Sequence, residues 1–254
     1  MADPKQRAIM ETARVLPVVF VVMNIVSLYV IYSWFHLMPL LQSTKDSTSY
    51  VLGYFELYVF NGITFLVMIC YLRAILTSPG SIPDSQEWEY VPQSGVVQPD
   101  AKETKKSGDR RHCKWCAKYK PDRCHHCRVC KTCILKMDHH CPWIYNCVGF
   151  RNHKFFFLLL FYSAIDCVFI TYTMFPTVKN AVDLNNSFVS MFMVLFAETL
   201  AAFLGLLITM FFFFHIWLMI KAMSTIEFCE KSTKNQGYNG SLYNRGLGGN
   251  IRAV

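Results

Sequence analysis

The sequence predicts an all-α polytopic membrane protein with four transmembrane helices and a zinc-stabilised, cysteine-rich domain between the second and third. Three observations carry this: apolar residues concentrated in four long runs, basic residues crowded into particular loops, and a dense block of Cys and His. Of 254 residues, 53% are hydrophobic, 21 are Phe and only 17% are charged. That balance is unusual for a soluble globule.

The runs Val15–Leu37, Val51–Leu76, Phe155–Phe175 and Phe188–Ile220 each reach or exceed the roughly 20 residues needed to cross about 30 Å of hydrocarbon as helix. Too little other chain remains to cover them as core helices of a soluble protein. The first run is too long for a cleavable signal, and no small-residue cleavage site follows it.

Orientation follows from the cations. Residues 77–154 hold fourteen Lys or Arg, and the N-terminal segment adds Lys5, Arg7 and Arg14. Residues 38–50 hold only Lys45, and residues 178–187 only Lys179. The positive-inside rule then puts both termini and the central loop in the cytosol. The net charge of +8 reads as topology and attraction to anionic headgroups; no nucleic-acid partner is expected.

The expected order is a cytosolic N-terminus (1–14), spans one and two (15–76), a polar linker (77–111), the cysteine-rich domain (112–154), spans three and four (155–220) and a cytosolic tail (221–254). Pro79, Gly80 and Pro83 break the second helix. Lys102, Lys105 and Lys106 lie in the linker. No internal repeat or low-complexity tract is evident.

Eight of the eleven cysteines lie between Cys113 and Cys147, with His112, His125, His126, His139 and His140 among them. The cytosol is reducing, so disulfides are not expected. Cys-x-x-Cys pairs at 113/116, 124/127, 127/130 and 130/133 let two thiolates reach one tetrahedral ion, which points to structural zinc. Two ions need eight ligands, and the block offers more than eight. Spacing alone leaves several registers open, including one in which all eight Cys bind metal.

The surplus matters at Asp138-His139-His140-Cys141. A thiol becomes nucleophilic when an imidazole takes its proton, and a carboxylate fixes that imidazole's tautomer. A regular helix or strand is not expected to assemble such a triad from adjacent residues, so a metal-pinned irregular loop is the expected device.

Asp138-His139-His140-Cys141 followed by Pro142-Trp143, Asn146-Cys147-Val148-Gly149 and Asn152 resembles the DHHC protein S-acyltransferases, or palmitoyltransferases. The likeness extends upstream through Lys120-Pro121-Asp122-Arg123, His125-His126-Cys127 and Cys130. It implies transfer of a long-chain acyl group from palmitoyl-CoA to cysteines of substrate proteins, with Cys141 as nucleophile, His139 as base and Asp138 as orienting partner. It also implies two interleaved zinc sites: Cys113, Cys116, His126 and Cys133 for one, Cys127, Cys130, His140 and Cys147 for the other. Cys124 stands where the family usually has a small residue and reads as a spare thiol, the rival being a swapped ligand register. His125 reads as scaffold.

Weaker elements are also similar to the family. Ser78-Pro79-Gly80 stands where Asp-Pro-Gly is usual, and Ser224-Thr225-Ile226-Glu227 at a Thr-Thr-x-Glu position. Tyr243, Gly246 and Asn250 resemble a C-terminal motif whose Asn tethers the tail.

Lys120 and Arg123 are candidate contacts for CoA phosphates. Trp143, Phe156 and Phe157 are candidate walls of an acyl cavity, since leaving a long acyl chain in water would cost on the order of 10 kcal/mol. Asp166 lies about 16 Å into the third span and Glu198 comparably deep in the fourth. Intramembrane acids find partners, and Asn24, Asn61 or Glu198 are the candidates for Asp166, which would then limit how deep an acyl chain reaches. Two other classes of function fit parts of the pattern. A membrane-anchored zinc module that recruits partners leaves Cys141 unexplained, and a metal or ion transporter leaves the Asp-His-His-Cys segment unexplained. Protein partners would present membrane-proximal cysteines; Golgi, endoplasmic reticulum and plasma membrane all remain open.

Overall fold

The computed structural model describes residues 4–42, 47–91, 102–105, 107–182, 187–232 and 240–254. Lys45 and Lys106, much of the linker, and residues 233–239 of the tail lie outside the described residues. Four helices are long and apolar enough to cross a bilayer: Arg14–Gln42, Thr48–Leu76, His153–Ala181 and Phe188–Ile220. The protein is thus a multi-pass, mostly helical membrane protein.

The helices run past the expected ends. α1 (Pro4–Tyr32) continues through a π-turn at Ser33–Leu37 into α2 (Met38–Gln42), and α3 covers Ser47–Leu76. α4 covers His153–Ala181 and passes through Pro176, whereas α5 matches the expected Phe188–Ile220. An apolar run marks only the stretch that hydrocarbon selects, so helix built from polar residues beyond it escapes that reading. The loops at 38–50 and 178–187 are correspondingly shorter than expected.

The chain forms two compact units, Met1–Tyr71 with Phe157–Phe214, and Leu72–Phe156 with His215–Val254. The core of the first gathers Tyr32, Leu37, Phe60, Ile170, Met174, Val194, Ala197 and Ala201, all at most 1% exposed. Several of its polar groups are paired, as an environment without water favours, although Asp166 Oδ1 and Glu198 Oε2 are buried without a hydrogen-bond partner. Tyr32 shares a 2.7 Å hydrogen bond with Thr173, and His36 bridges Glu56 at 2.8 Å and Thr177 at 2.7 Å.

Asp166 has a different partner from those expected: the Thr64 hydroxyl donates to its Oδ2 at 3.3 Å. Asn24 donates to the Phe20 carbonyl, while Asn61 donates to the Leu57 carbonyl and accepts from Tyr29. An intrahelical carbonyl four residues back satisfies an amide donor in hydrocarbon as well as a distant carboxylate does. Phe157 packs on Phe212 at 5.1 Å within this unit.

The second unit carries three antiparallel hairpins: β1 (His112–Cys113) with β2 (Lys118–Tyr119), β3 (His125–Cys127) with β4 (Thr132–Ile134), and β5 (His139–Cys141) with β6 (Asn146–Val148). They share one register. His112 pairs with Tyr119, His126 with Cys133 and His140 with Cys147. In each, four residues turn the chain and the last takes a left-handed conformation: Ala117, Lys131 and Tyr145, at φ 49°, 56° and 49°. The equivalent residues recur every fourteen positions, so the block is an internal repeat, contrary to the expectation of none.

Candidate active site

The repeat explains how the ligands sort. In the second hairpin His126 and Cys133 face each other across the strands, and they meet Cys113 and Cys116 of the first. In the third, His140 and Cys147 face each other and meet Cys127 and Cys130 of the second. Within each cluster the donor atoms all lie within 4.8 Å of one another. Cys116 Sγ and Cys113 Sγ stand 3.3 and 3.5 Å from His126 Nδ1, and Cys130 and Cys147 each stand 3.5 Å from His140 Nδ1. A tetrahedral zinc site has S···N edges of about 3.6 Å. These residues therefore fit a metal ion in each cluster.

Cys141 occupies in the third hairpin the position that Cys113 and Cys127 hold in the first two. The turn position of Cys116 and Cys130 is Ile144 there, which is 1% exposed. Without that second thiol, and with no fourth hairpin among the described residues, Cys141 belongs to neither cluster. Cys124 lies outside both as well. It is fully buried against Cys113 and Cys133.

The device is a strand, not the expected irregular loop. Alternate residues of a strand share a face, so His139 and Cys141 point one way while His140 points to the metal ligands. His139 and Cys141 hydrogen-bond. Asp138, just ahead of β5, pairs its Oδ2 with His139 Nδ1 at 2.7 Å. Its amide is fixed by the Val148 carbonyl.

Thr225, at the start of α6 (Thr225–Glu227), donates its amide to Asp138 Oδ1 at 2.9 Å and its hydroxyl to Oδ2 at 2.7 Å. Burial of Asp138 opposes its charge, yet the His139 hydrogen bond, nearby His153 and the Thr225 amide hold its carboxyl well below the usual range. Burial likewise opposes charge on His139, but its bonds to Asp138 and Cys141 prevail and push it up to about 9.

Arg123 is engaged elsewhere than at a phosphate. Its guanidinium forks onto both carboxylate oxygens of Glu227 at 2.7 and 2.8 Å and reaches the Ala222 carbonyl. Ser224 and Glu227 close a capping box on α6. One short segment thus holds both Asp138 and Arg123. Lys120 is half-buried and Trp143 exposed. Phe156 is buried edge-on to the His139 ring at 5.1 Å, with His215 beside both.

Asn146 and Asn152 hold the end of α3. Asn146 Nδ2 donates to the carbonyls of Ala74, Ile75 and Thr77, and Asn152 Nδ2 to Cys147 and Ala74. At Ser78-Pro79-Gly80 the Ser78 hydroxyl accepts the Gly80 amide, as an Asp carboxylate would, and Gly80 sits at φ 95°. Asn250, in α7 (Gly246–Arg252), donates to the Ile220 carbonyl and accepts from Arg245. Sequence reasoning missed what Thr225 and Asn146 hold, and it did not single out His215, whose ring stands beside that of His139. Asn146 stands inside the cysteine-rich block, where an Asn is common to many folds, and Thr225 lies 87 positions from its partner Asp138.

A carboxylate, an imidazole and a thiol lie together beside hairpins whose Cys and His clusters fit metal ions, in a chain with four helices long and apolar enough to cross a membrane. The family model of the DHHC palmitoyltransferases matches residues 106–232, and the chain belongs to that family. It is 42% identical to palmitoyltransferase ZDHHC2 of Danio rerio over 154 residues, which are 58% of this chain and 41% of the relative. It is 41% identical over 149 residues to palmitoyltransferase ZDHHC2 of Homo sapiens, again 58% of this chain and 41% of the relative. Palmitoyltransferase ZDHHC15 of Mus musculus is 32% identical over 258 residues, covering 94% of this chain and 74% of the relative. The chain matches less than half the length of the two ZDHHC2 relatives.

Proposed function

We propose that this chain is a protein-cysteine S-palmitoyltransferase that carries the acyl group on Cys141. The observation that supports it best is a thiol outside both metal clusters, on one strand face with His139, whose ring Asp138 orients. His139 takes the Cys141 proton, and the thiolate attacks the thioester carbon of palmitoyl-CoA. The carbon–sulfur bond to CoA breaks, and the CoA thiolate leaves with that proton. A substrate cysteine then attacks the acyl-enzyme and restores Cys141. Thioester exchange leaves the bond type unchanged, so positioning and thiolate formation supply the catalysis.

Cys113, Cys116, His126 and Cys133 would hold one zinc ion, and Cys127, Cys130, His140 and Cys147 the other. The ions supply structural cross-links to a domain with little hydrophobic core. Trp143, Phe156, Lys120 and Arg123 are the candidate acyl-CoA contacts, Arg123 being the one already engaged, by Glu227 and the Ala222 carbonyl. The distribution of Lys and Arg supports a cytosolic site and cytosolic termini, in the Golgi, endoplasmic reticulum or plasma membrane, with substrates whose cysteines lie near the bilayer.

The test is to incubate purified protein with alkyne-tagged palmitoyl-CoA and look for a hydroxylamine-labile adduct. Wild type labels and Cys141→Ser does not. Equal labelling of the two, or none of either, defeats the reading.

A further inference from the structure

Asp138, His139 and His215 bring a carboxylate oxygen and two imidazole nitrogens within 4.8 Å of one another, the bound that also encloses the donors of each cysteine cluster. His215 comes from α5 and is 3% exposed; its ring centre stands 6.0 Å from that of His139. Neither the zinc pattern nor the acyl-transfer chemistry uses it. Asp138 accepts three hydrogen bonds, one on Oδ1 and two on Oδ2. A carboxylate offers about four lone-pair positions, so Oδ1 has room for one more partner. His139, with 22% of its side chain exposed, provides the way in.

Two imidazoles and a carboxylate suit a divalent transition-metal ion such as zinc. They do not suit magnesium or calcium, which prefer all-oxygen shells. We propose that Asp138, His139 and His215 form a third, inhibitory site for a zinc-like ion, distinct from the two structural clusters. This inference rests on the reading of His139 as the base for Cys141. A nitrogen lone pair given to a metal no longer accepts the thiol's proton, so filling the site stops acyl transfer. With three protein donors against four, it holds its ion less tightly than either cluster. It therefore empties while the structural ions stay.

The experiment titrates zinc chloride into the full-length protein in detergent. Labelling of Cys141 by tagged palmitoyl-CoA and the number of bound zinc ions, by native mass spectrometry, are followed together. Wild type is expected to take up one ion beyond those of the two clusters and to lose labelling in step. A mild chelator restores labelling, and magnesium has no effect. His215→Gln, which keeps the volume but lacks the imidazole, labels without added metal and needs about tenfold more zinc for the extra ion and for inhibition. His215→Cys, which returns a donor, regains sensitivity.

Equal zinc sensitivity of wild type and His215→Gln overturns the proposal, as does the lack of an extra ion in the wild-type spectrum. The ion count needs no activity, so a folded but inactive variant still decides. Wild type that never labels, yet binds the extra ion through His215, defeats the acyl-transfer reading and not the site.

Discussion

Thr225 grips both carboxylate oxygens of Asp138, by its amide on Oδ1 and its hydroxyl on Oδ2. Asp138 is 4% exposed, so these bonds replace water that the carboxylate has lost. A hydrogen bond to a charged group contributes about 1.5–3 kcal/mol. Thr225→Val keeps the amide bond and removes the hydroxyl. We expect Cys141 labelling to slow by about 10- to 100-fold, with protein yield and metal content unchanged. Thr225→Ser, which restores the hydroxyl, should recover most of the rate. Equal slowing of both would show that the methyl packing, not the hydroxyl, matters.

The four apolar spans and a metal-binding Cys and His block were legible because each rests on residue type and short spacing, whereas the sorting of the ligands and the roles of Asp138, His139 and Cys141 followed only from the family resemblance. Hydrocarbon selects apolar runs, and thiols at Cys-x-x-Cys spacing report a tetrahedral ion. The triad's scaffold was not legible as a strand, because His139-His140-Cys141 carries no apolar alternation. The fourteen-residue period was nonetheless present in the sequence: Cys113, Cys127 and Cys141 are its first marks, Cys133 and Cys147 its later ones. Ile144, replacing Cys116 and Cys130, is what spares Cys141. Contacts such as Thr225 to Asp138 join residues 87 positions apart, and no local pattern encodes them. Asp166 and Thr64 failed for the same reason.

The Arg123–Glu227 pair makes a stability prediction. Glu227 has 1% of its side chain exposed and Arg123 14%, so removing the arginine strands a buried carboxylate. Such a loss costs about 3–5 kcal/mol. Arg123→Ala should therefore sharply raise hydrogen exchange in residues 222–230. Arg123→Lys should help little, since an ammonium cannot fork onto two oxygens. Arg123→Met with Glu227→Gln, which removes both charges, should recover part of the protection.

Gly149 allows the hairpin block to close on itself. A Cβ there would stand 2.7 Å from the Ile134 side chain and 3.0 Å from the carbonyl oxygens of Leu135 and Pro79. Two of these three neighbours are backbone and cannot swing aside. Overpacking of this kind costs about 1–3 kcal/mol. Gly149→Ala should lower the melting temperature of the purified protein, and Gly248→Ala, whose Cβ meets nothing within 4 Å, serves as a control for handling. Similar melting of wild type and Gly149→Ala would mean that the Pro79 and Leu135 segments yield easily.

Metal removal separates the hairpin block from the spans. The paired strands are two or three residues long, below what pairing alone sustains in water. Their buried clusters are mostly the ligand cysteines themselves. The spans need no metal, because their backbone bonds are internal and hydrocarbon enforces them. A strong chelator should therefore leave the far-ultraviolet helical signal nearly intact. It should also make six ligand thiols newly reactive to maleimide, three from each cluster. Added zinc should protect them again, at a pH where the thiolates form. A helical signal that collapses together with thiol protection would show that the spans depend on the metal.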